Sequence, residues 1–189
     1  MDKLPDHNLL CAQYAESAGA LEESGKDGAT ICSITLGSLH THVAVCRAGA
    51  TIDSACLDLG YDCIRLDGDG KVSYLSDGGE TFLNAVAKNI RLSDTVTEEQ
   101  LALLAELVAE TIVNLVCRRR PPQVSQRLLC TEPLSQFHAI SEYWLSGLPT
   151  EDSMGHQATT GSNLGAPLAQ GLVCALAERG LKYKIVAST

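Results

Sequence analysis

His40 and His42 lie two positions apart in the stretch 34–45, ITLGSLHTHVAV. Side chains alternate along an extended backbone, so both imidazoles would face one side of a sheet. Two such rings could begin a zinc site with a nearby Cys or Asp. No second ligand pair in the sequence has recognisable metal spacing, and the alternative is a polar turn whose histidines face solvent or aspartates. The stretch also permits a second chemistry. Strand, small polar turn, strand is the outline of a loop that cradles phosphate on backbone N–H groups, and Gly37 sits in this turn.

Other reactive residues select less. Eight cysteines and five histidines allow many Cys/His pairings, so none stands out as an activated nucleophile. There is no Cys-x-x-Cys pair, and most of the cysteines lie in apolar segments, as reduced thiols acting as small hydrophobes would. Asp53, Asp58, Asp62, Asp67 and Asp69 include possible carboxylate pairs for acid–base work, but their alternation with turns reads as a solvated edge. The run Asp67-Gly68-Asp69-Gly70 invites a calcium-loop reading. Such a loop needs Gly at its sixth position and Glu at its twelfth, where this chain has Val72 and Gly78. The run is instead read as a hairpin turn. In GSNLG, at 161–165, a helix N-terminus could attract an anion, but Ser162 or Asn163 is better read as a helix cap.

The elements that must position these groups follow from local pattern. Residues 9–23 read as a helix, stopped by Gly25 and Gly28. Residues 30–36, 43–47 and 51–57 read as short strands. Their tight spacing favours an antiparallel meander, because parallel neighbours need a long crossover. A further hairpin turns at 67–70. Residues 97–118 form the clearest helix, with Thr97 and Gln100 as a capping box and an apolar stripe through Leu104, Leu107, Val108 and Leu115. Residues 124–130, VSQRLLC, read as a strand, and 136–157 give no clear pattern. Residues 166–179 read as a helix, with Pro167 in its first turn and Gly180 as its stop. The closing LKYKIVAST reads as a strand. The order is three antiparallel strands, hairpin, helix, strand, helix, strand. It predicts one α/β domain over 1–189 with a mixed sheet: an N-terminal helix and loop over 1–29, then a ribonuclease H-like lobe over 30–189.

Composition narrows the function classes. The chain has 189 residues, 45% of them hydrophobic, and a formal net charge of −9. Such acidity argues against a nucleic-acid-binding surface. The one basic cluster, Arg118-Arg119-Arg120, stands where a helix would end, and cations are favourable there. No apolar run is long enough to span a bilayer, and the first residues lack a signal peptide's layout. A cytoplasmic protein without nucleic-acid or membrane partners is expected.

Several collinear pieces resemble one family. RAGATIDSACLDLG and LDGDGKVSYLS are the strongest; LLCTEPLSQFHAISEYWLSG, GSNLGAPLAQGL and GLKYKIV follow in order. The series resembles the ethanolamine ammonia-lyase reactivating factors of the EutA type, which are actin-like ATPases. The resemblance implies a chaperone-like protein that uses ATP and Mg²⁺ to release damaged cobalamin from ethanolamine ammonia-lyase so that adenosylcobalamin can enter. It also implies a cytoplasmic location in association with a bacterial microcompartment. The nucleotide would meet Gly37, Ser38 and Thr41 in the first turn and His138, Ala139 and Ser141 in a second region.

The departures from the family pattern fall on those same motifs. Thr35 stands where the family has a Mg²⁺-orienting Asp, Ser38 and Leu39 replace two glycines, and His40 replaces a Thr. His138 and Ala139 replace two glycines of the second motif. The family's further N-terminal phosphate loop and C-terminal extension have no visible counterpart, so a fragment or a reduced relative is expected. The resulting expectation is a reactivating factor with weak or absent ATPase of its own, with a homo-oligomer or a second chain completing the cleft. A non-catalytic protein-binding module and a zinc protein using His40 and His42 are the alternatives.

Overall fold

The computed structural model describes residues 5–87, 89–117, 126–135, 137–149 and 162–187. Helix α1 (His7–Ser17) starts at Asp6, whose carboxylate accepts the amides of Asn8 and Leu9. The single helix expected over 9–23 is broken. Gly19 adopts φ 79°, and α2 (Ala20–Lys26) starts after it. A left-handed residue cannot continue a right-handed helix, so the chain changes direction there.

Three strands follow as a meander: β1 (Ile31–Leu36), β2 (Thr41–Arg47) and β3 (Ala50–Leu57). Each is antiparallel to the next. The hairpin of β4 (Ile64–Leu66) and β5 (Val72–Leu75) turns where expected. In that turn Asp67 Oδ1 accepts the amides of Asp69 and Lys71, so the carboxylate is engaged in shaping the turn. Next comes α3 (Asp77–Val86), capped by Ser76. Two glycines in its first turn lower its intrinsic propensity, which hid it in the sequence. Helix α4 (Glu98–Val116) carries the predicted capping box between Thr97 and Gln100. After it come β6 (Glu142–Ser146), β7 (Ser162–Asn163), α5 (Gly165–Glu178) and β8 (Tyr183–Ile185). The cap expected at Ser162 or Asn163 is not the one formed: Leu164 takes the N-cap position without a side-chain bond, and Asn163 Oδ1, one residue earlier, accepts the Gly165 amide at 2.9 Å.

The strand expected over 124–130 does not form among the described residues. Gln126 and Arg127 are helical, and Leu129 makes one isolated bridge to Leu57. Two backbone bonds seat this segment on β3: Asp58 N–H to the Leu128 carbonyl, 2.7 Å, and Cys130 N–H to the Cys56 carbonyl, 2.9 Å. Leu128 is buried and anchors the segment, so its apolar residues fill the core without extending a ladder. The basic cluster Arg118-Arg119-Arg120 lies outside the described residues.

The main sheet has five strands in the order β3-β2-β1-β6-β8. Central β1 is antiparallel to β2 and parallel to β6, and β6 is parallel to β8. A smaller sheet has the order β5-β4-β7. The protein is thus an α/β fold with a mixed five-stranded sheet and flanking helices.

Period-two alternation divides the main sheet's side chains between two cores. Cys32, Ile34, Leu36, Val43, Val45, Leu57 and Leu145 join Leu104, Val108 and Ile112 of α4 and Leu168 and Leu172 of α5 in a large aliphatic core. Ile31, Ala44, Cys46, Cys56 and Trp144 face Cys11 and Ala15 of α1 and Ala20 of α2 in a smaller one. Asp69 is exposed, as a solvated edge requires, but two of the aspartates depart from that expectation. Asp62 is buried among Ser38, Arg65 and Asn163, and Asp53 receives His138 and Ser135. Fixed donors replace the water these carboxylates would otherwise need. No helix among the described residues is long and apolar enough to cross a membrane.

Candidate functional site

The turn between β1 and β2 is braced by its own chain. Gly37 N–H donates to the His40 carbonyl at 2.8 Å, closing the turn. The Gly37 and Ser38 carbonyls accept the amides of Tyr61 and Asp62 at 3.1 and 2.8 Å. Ser38 Oγ donates to Asp62 Oδ2 at 3.3 Å, and Thr41 Oγ1, fully buried, donates to the Leu59 carbonyl at 2.7 Å. Gly60 allows this fit, because a Cβ there would come within 2.3 Å of the Ser38 carbonyl oxygen.

At the end of β1, Thr35 Oγ1 pairs with Ser146 Oγ of β6 at 2.8 Å. Gly147 follows with φ 68°, and a Cβ on it would meet the Leu36 carbonyl oxygen at 2.3 Å. These residues do not fit magnesium–nucleotide. The end of β1 offers two hydroxyls bonded to each other and no carboxylate, and the Gly37 N–H and the hydroxyls of Ser38 and Thr41 are engaged within the protein.

The second predicted region stands elsewhere. Ser141 N–H donates to the Thr30 carbonyl at 2.8 Å, and Ser141 Oγ accepts the Thr30 amide at 3.3 Å. His138 Nε2 lies 2.7 Å from Asp53 Oδ2, and Ala139, next in the chain, is exposed. Ser141 precedes Glu142, which pairs with Ile31 at the start of β1, whereas Gly37 follows its end. The two regions are therefore separated by the length of β1, roughly 20 Å at a strand's rise per residue. The glycine that reaches the first turn from β6 is Gly147, which sequence reasoning did not single out.

Residues 8–185 match the family described as ethanolamine utilisation protein EutA. The chain belongs to this family. No curated protein matches it. The EutA match spans both arms of the first turn, all five strands of the main sheet and α3 to α5.

One constellation in this EutA chain was only half legible. His40 and His42 do share a side of the sheet, with ring centroids 6.1 Å apart. Helix α1 lays His7 over them, 5.0 Å from His40 and 5.9 Å from His42. His7 Nδ1 lies 3.5 Å from Cys56 Sγ, on β3. Cys130, seated on β3 by its backbone bond, completes the group. The donor atoms of His7, His42 and Cys56 all lie within 4.8 Å of one another, as do those of His7, His40 and Cys130.

The electrostatics of the group are uneven. Burial, then the neighbouring His40 and His7, lowers His42 to about 4, so its ring is neutral near pH 7. His40 is raised, chiefly by its hydrogen bond with Cys130. The Cys130 thiol is pulled down by hydrogen bonds from Cys56 and His40, and Cys56 is pushed up by Cys130 and burial. Asp58 Oδ1 lies 3.5 Å from His40 Nε2, close enough to help orient that ring. Cys11, by contrast, donates to the Ala55 carbonyl, and burial pushes it to about 11. His7, Cys56 and Cys130 carry no spacing signal that sequence reading could have used; the fold alone brings them to His40 and His42.

Proposed function

We propose that this EutA-family chain is a chaperone-like reactivating-factor lobe that docks on ethanolamine ammonia-lyase and does not hydrolyse ATP by itself. The strand order around β1, with one antiparallel and one parallel neighbour, supports a ribonuclease H-like, actin-type lobe acting as a single domain. The observation that carries the non-hydrolysing part is the Thr35–Ser146 hydroxyl pair at the end of β1, where the resembling family places its Mg²⁺-orienting carboxylate. Phosphoryl transfer depends on a positioned metal and charge stabilisation, and two mutually bonded hydroxyls supply neither.

The family's role in releasing damaged cobalamin would then be exercised through protein contact, alone or with a second chain that brings the missing phosphate-binding groups. A cytoplasmic setting beside a bacterial microcompartment accords with ethanolamine utilisation.

Two measurements test this reading. Calorimetric titration with millimolar MgATP should give no binding heat from the folded chain alone, and no phosphate should be released. Co-sedimentation with ethanolamine ammonia-lyase holding damaged cobalamin should give a complex. Stoichiometric ATP turnover would overturn the non-hydrolysing part, and failure to form any complex would overturn the reactivating role.

A further inference from the structure

Among the described residues, His42 leaves two buried side-chain atoms without a partner. It is 6% exposed, and neither ring nitrogen has a hydrogen-bond partner among the described residues. A neutral imidazole has one N–H donor and one acceptor nitrogen. Leaving both unpaired in a buried position costs on the order of 1–3 kcal/mol for each group. A histidine recruited merely as core filler would have at least one partner. What surrounds His42 is chemically specific: a second imidazole from α1, a third from the turn, and thiols from β3 and from the segment beside it.

We infer that His7, His42 and Cys56 form a zinc-binding site, with the fourth position closed from the solvent side by Cys130 or His40. Zinc takes tetrahedral sets of imidazole nitrogen and thiolate sulfur, with bonds of about 2.0 Å to N and 2.3 Å to S, which puts neighbouring donors roughly 3.3–3.6 Å apart. His7 Nδ1 and Cys56 Sγ already stand at 3.5 Å. The remaining donors, within 4.8 Å, reach that spacing by side-chain shifts of about 1 Å. The donor set is soft enough to disfavour magnesium and calcium, which take oxygen ligands.

His42 and Cys56 are buried and would hold the ion from below with half-buried His7, and Cys130, partly exposed, would meet it from the solvent side. On binding, Cys56 loses its thiol proton to solvent and both nitrogen donors bind as neutral rings. The ion would also tie α1 to β2 and β3 across the thinner core. The inference does not depend on lyase docking: the site is built from α1, β2 and β3 whether or not the chain meets another protein.

The test uses the full chain purified without an affinity tag or chelator. Elemental analysis after zinc addition and dialysis should give one zinc ion per chain. Cobalt(II) titration should give thiolate-to-cobalt charge transfer and tetrahedral d–d bands. Cys56→Ser should abolish the charge transfer assigned to that thiolate and weaken zinc binding by about 100-fold or more, beyond the loss typical of removing an outer partner. His7→Gln, in the first turn of α1 and only half-buried, keeps the test open if the buried variant fails to fold, and it should weaken zinc binding similarly. Cys174→Ser, at an exposed cysteine on α5, should change nothing. A folded wild-type chain with no stoichiometric zinc and no cobalt bands overturns the inference, and so does a His7→Gln chain that binds zinc as tightly as wild type.

Discussion

The two faces of the five-stranded sheet are built differently. Against α4 and α5 the sheet presents leucine, isoleucine and valine, and the helices answer with the same residues. Against α1 and α2 it presents alanine, cysteine, one isoleucine and one tryptophan, and beside them a cluster of imidazoles and thiols. The first face buries many more apolar side chains than the second. The second is thin: its small side chains let α1 sit close, and that close approach delivers His7 to β2 and β3. Reactive side chains have gathered where the apolar core contributes least, and an ion bound there would supply cohesion that packing does not.

The comparison can be broken most sharply by cavities. Ile112→Ala, at a fully buried position of α4, should destabilise by about 2–5 kcal/mol. Cys46→Ala, equally buried on the other face, should cost about 1 kcal/mol. Urea unfolding of both variants measures the difference, and equal losses would mean that the faces contribute alike.

Zinc should then narrow the gap. At a free concentration a hundred times its dissociation constant, a bound ion adds about 2.7 kcal/mol. Chelation should therefore lower the melting temperature of the wild-type chain and leave that of His7→Gln unchanged.

Gly147→Ala probes the seam between the faces, at the end of β6. It combines a left-handed φ with a Cβ 2.3 Å from the Leu36 carbonyl oxygen, and should cost about 2 kcal/mol or more. Gly180→Ala shares the left-handed φ but meets nothing within 4 Å, so it should cost about 1 kcal/mol. Thermal melts of the pair separate backbone crowding from φ preference.

The smallest effect belongs to the outer rim of the aliphatic face. Arg179 grips Glu110 with two hydrogen bonds, at 2.6 and 3.1 Å, and joins α5 to α4. That grip holds the Glu110 carboxyl below its ordinary range. A carboxyl depressed in the folded state stabilises above its unfolded value and loses that contribution as pH falls through its folded one. Glu110→Gln should cost at most about 1 kcal/mol at pH 7, because the carboxylate is partly exposed, and nothing in strong acid. Urea titrations of both proteins at the two pH values check the sign.

Most of the fold was legible because local rules wrote it. The meander came from short β-branched runs separated by too few residues for a crossover, and α4 from its capping box and apolar stripe. The misreadings share a cause. Gly19 breaks a helix whose apolar pattern continues across it. Two glycines disguise α3. Residues 126–130 are apolar enough for a strand but anchor Leu128 in the core beside a sheet edge. In each case a backbone conformation or a tertiary contact overrode the side-chain pattern.

The sequence by itself determined the α/β class, the EutA-like order of segments, and a first turn that holds Thr35, Ser38 and Leu39 around a single glycine, Gly37. Those are properties of residue type and spacing, and they need no folded chain to be read. Only the tertiary structure decided that Thr35 meets Ser146, that the two predicted nucleotide regions lie at opposite ends of β1, and that His7, Cys56 and Cys130 join His40 and His42. These contacts link residues far apart in the chain. They arise from a parallel pairing of β1 with β6 and from α1 packing onto β2 and β3, and no local periodicity encodes either.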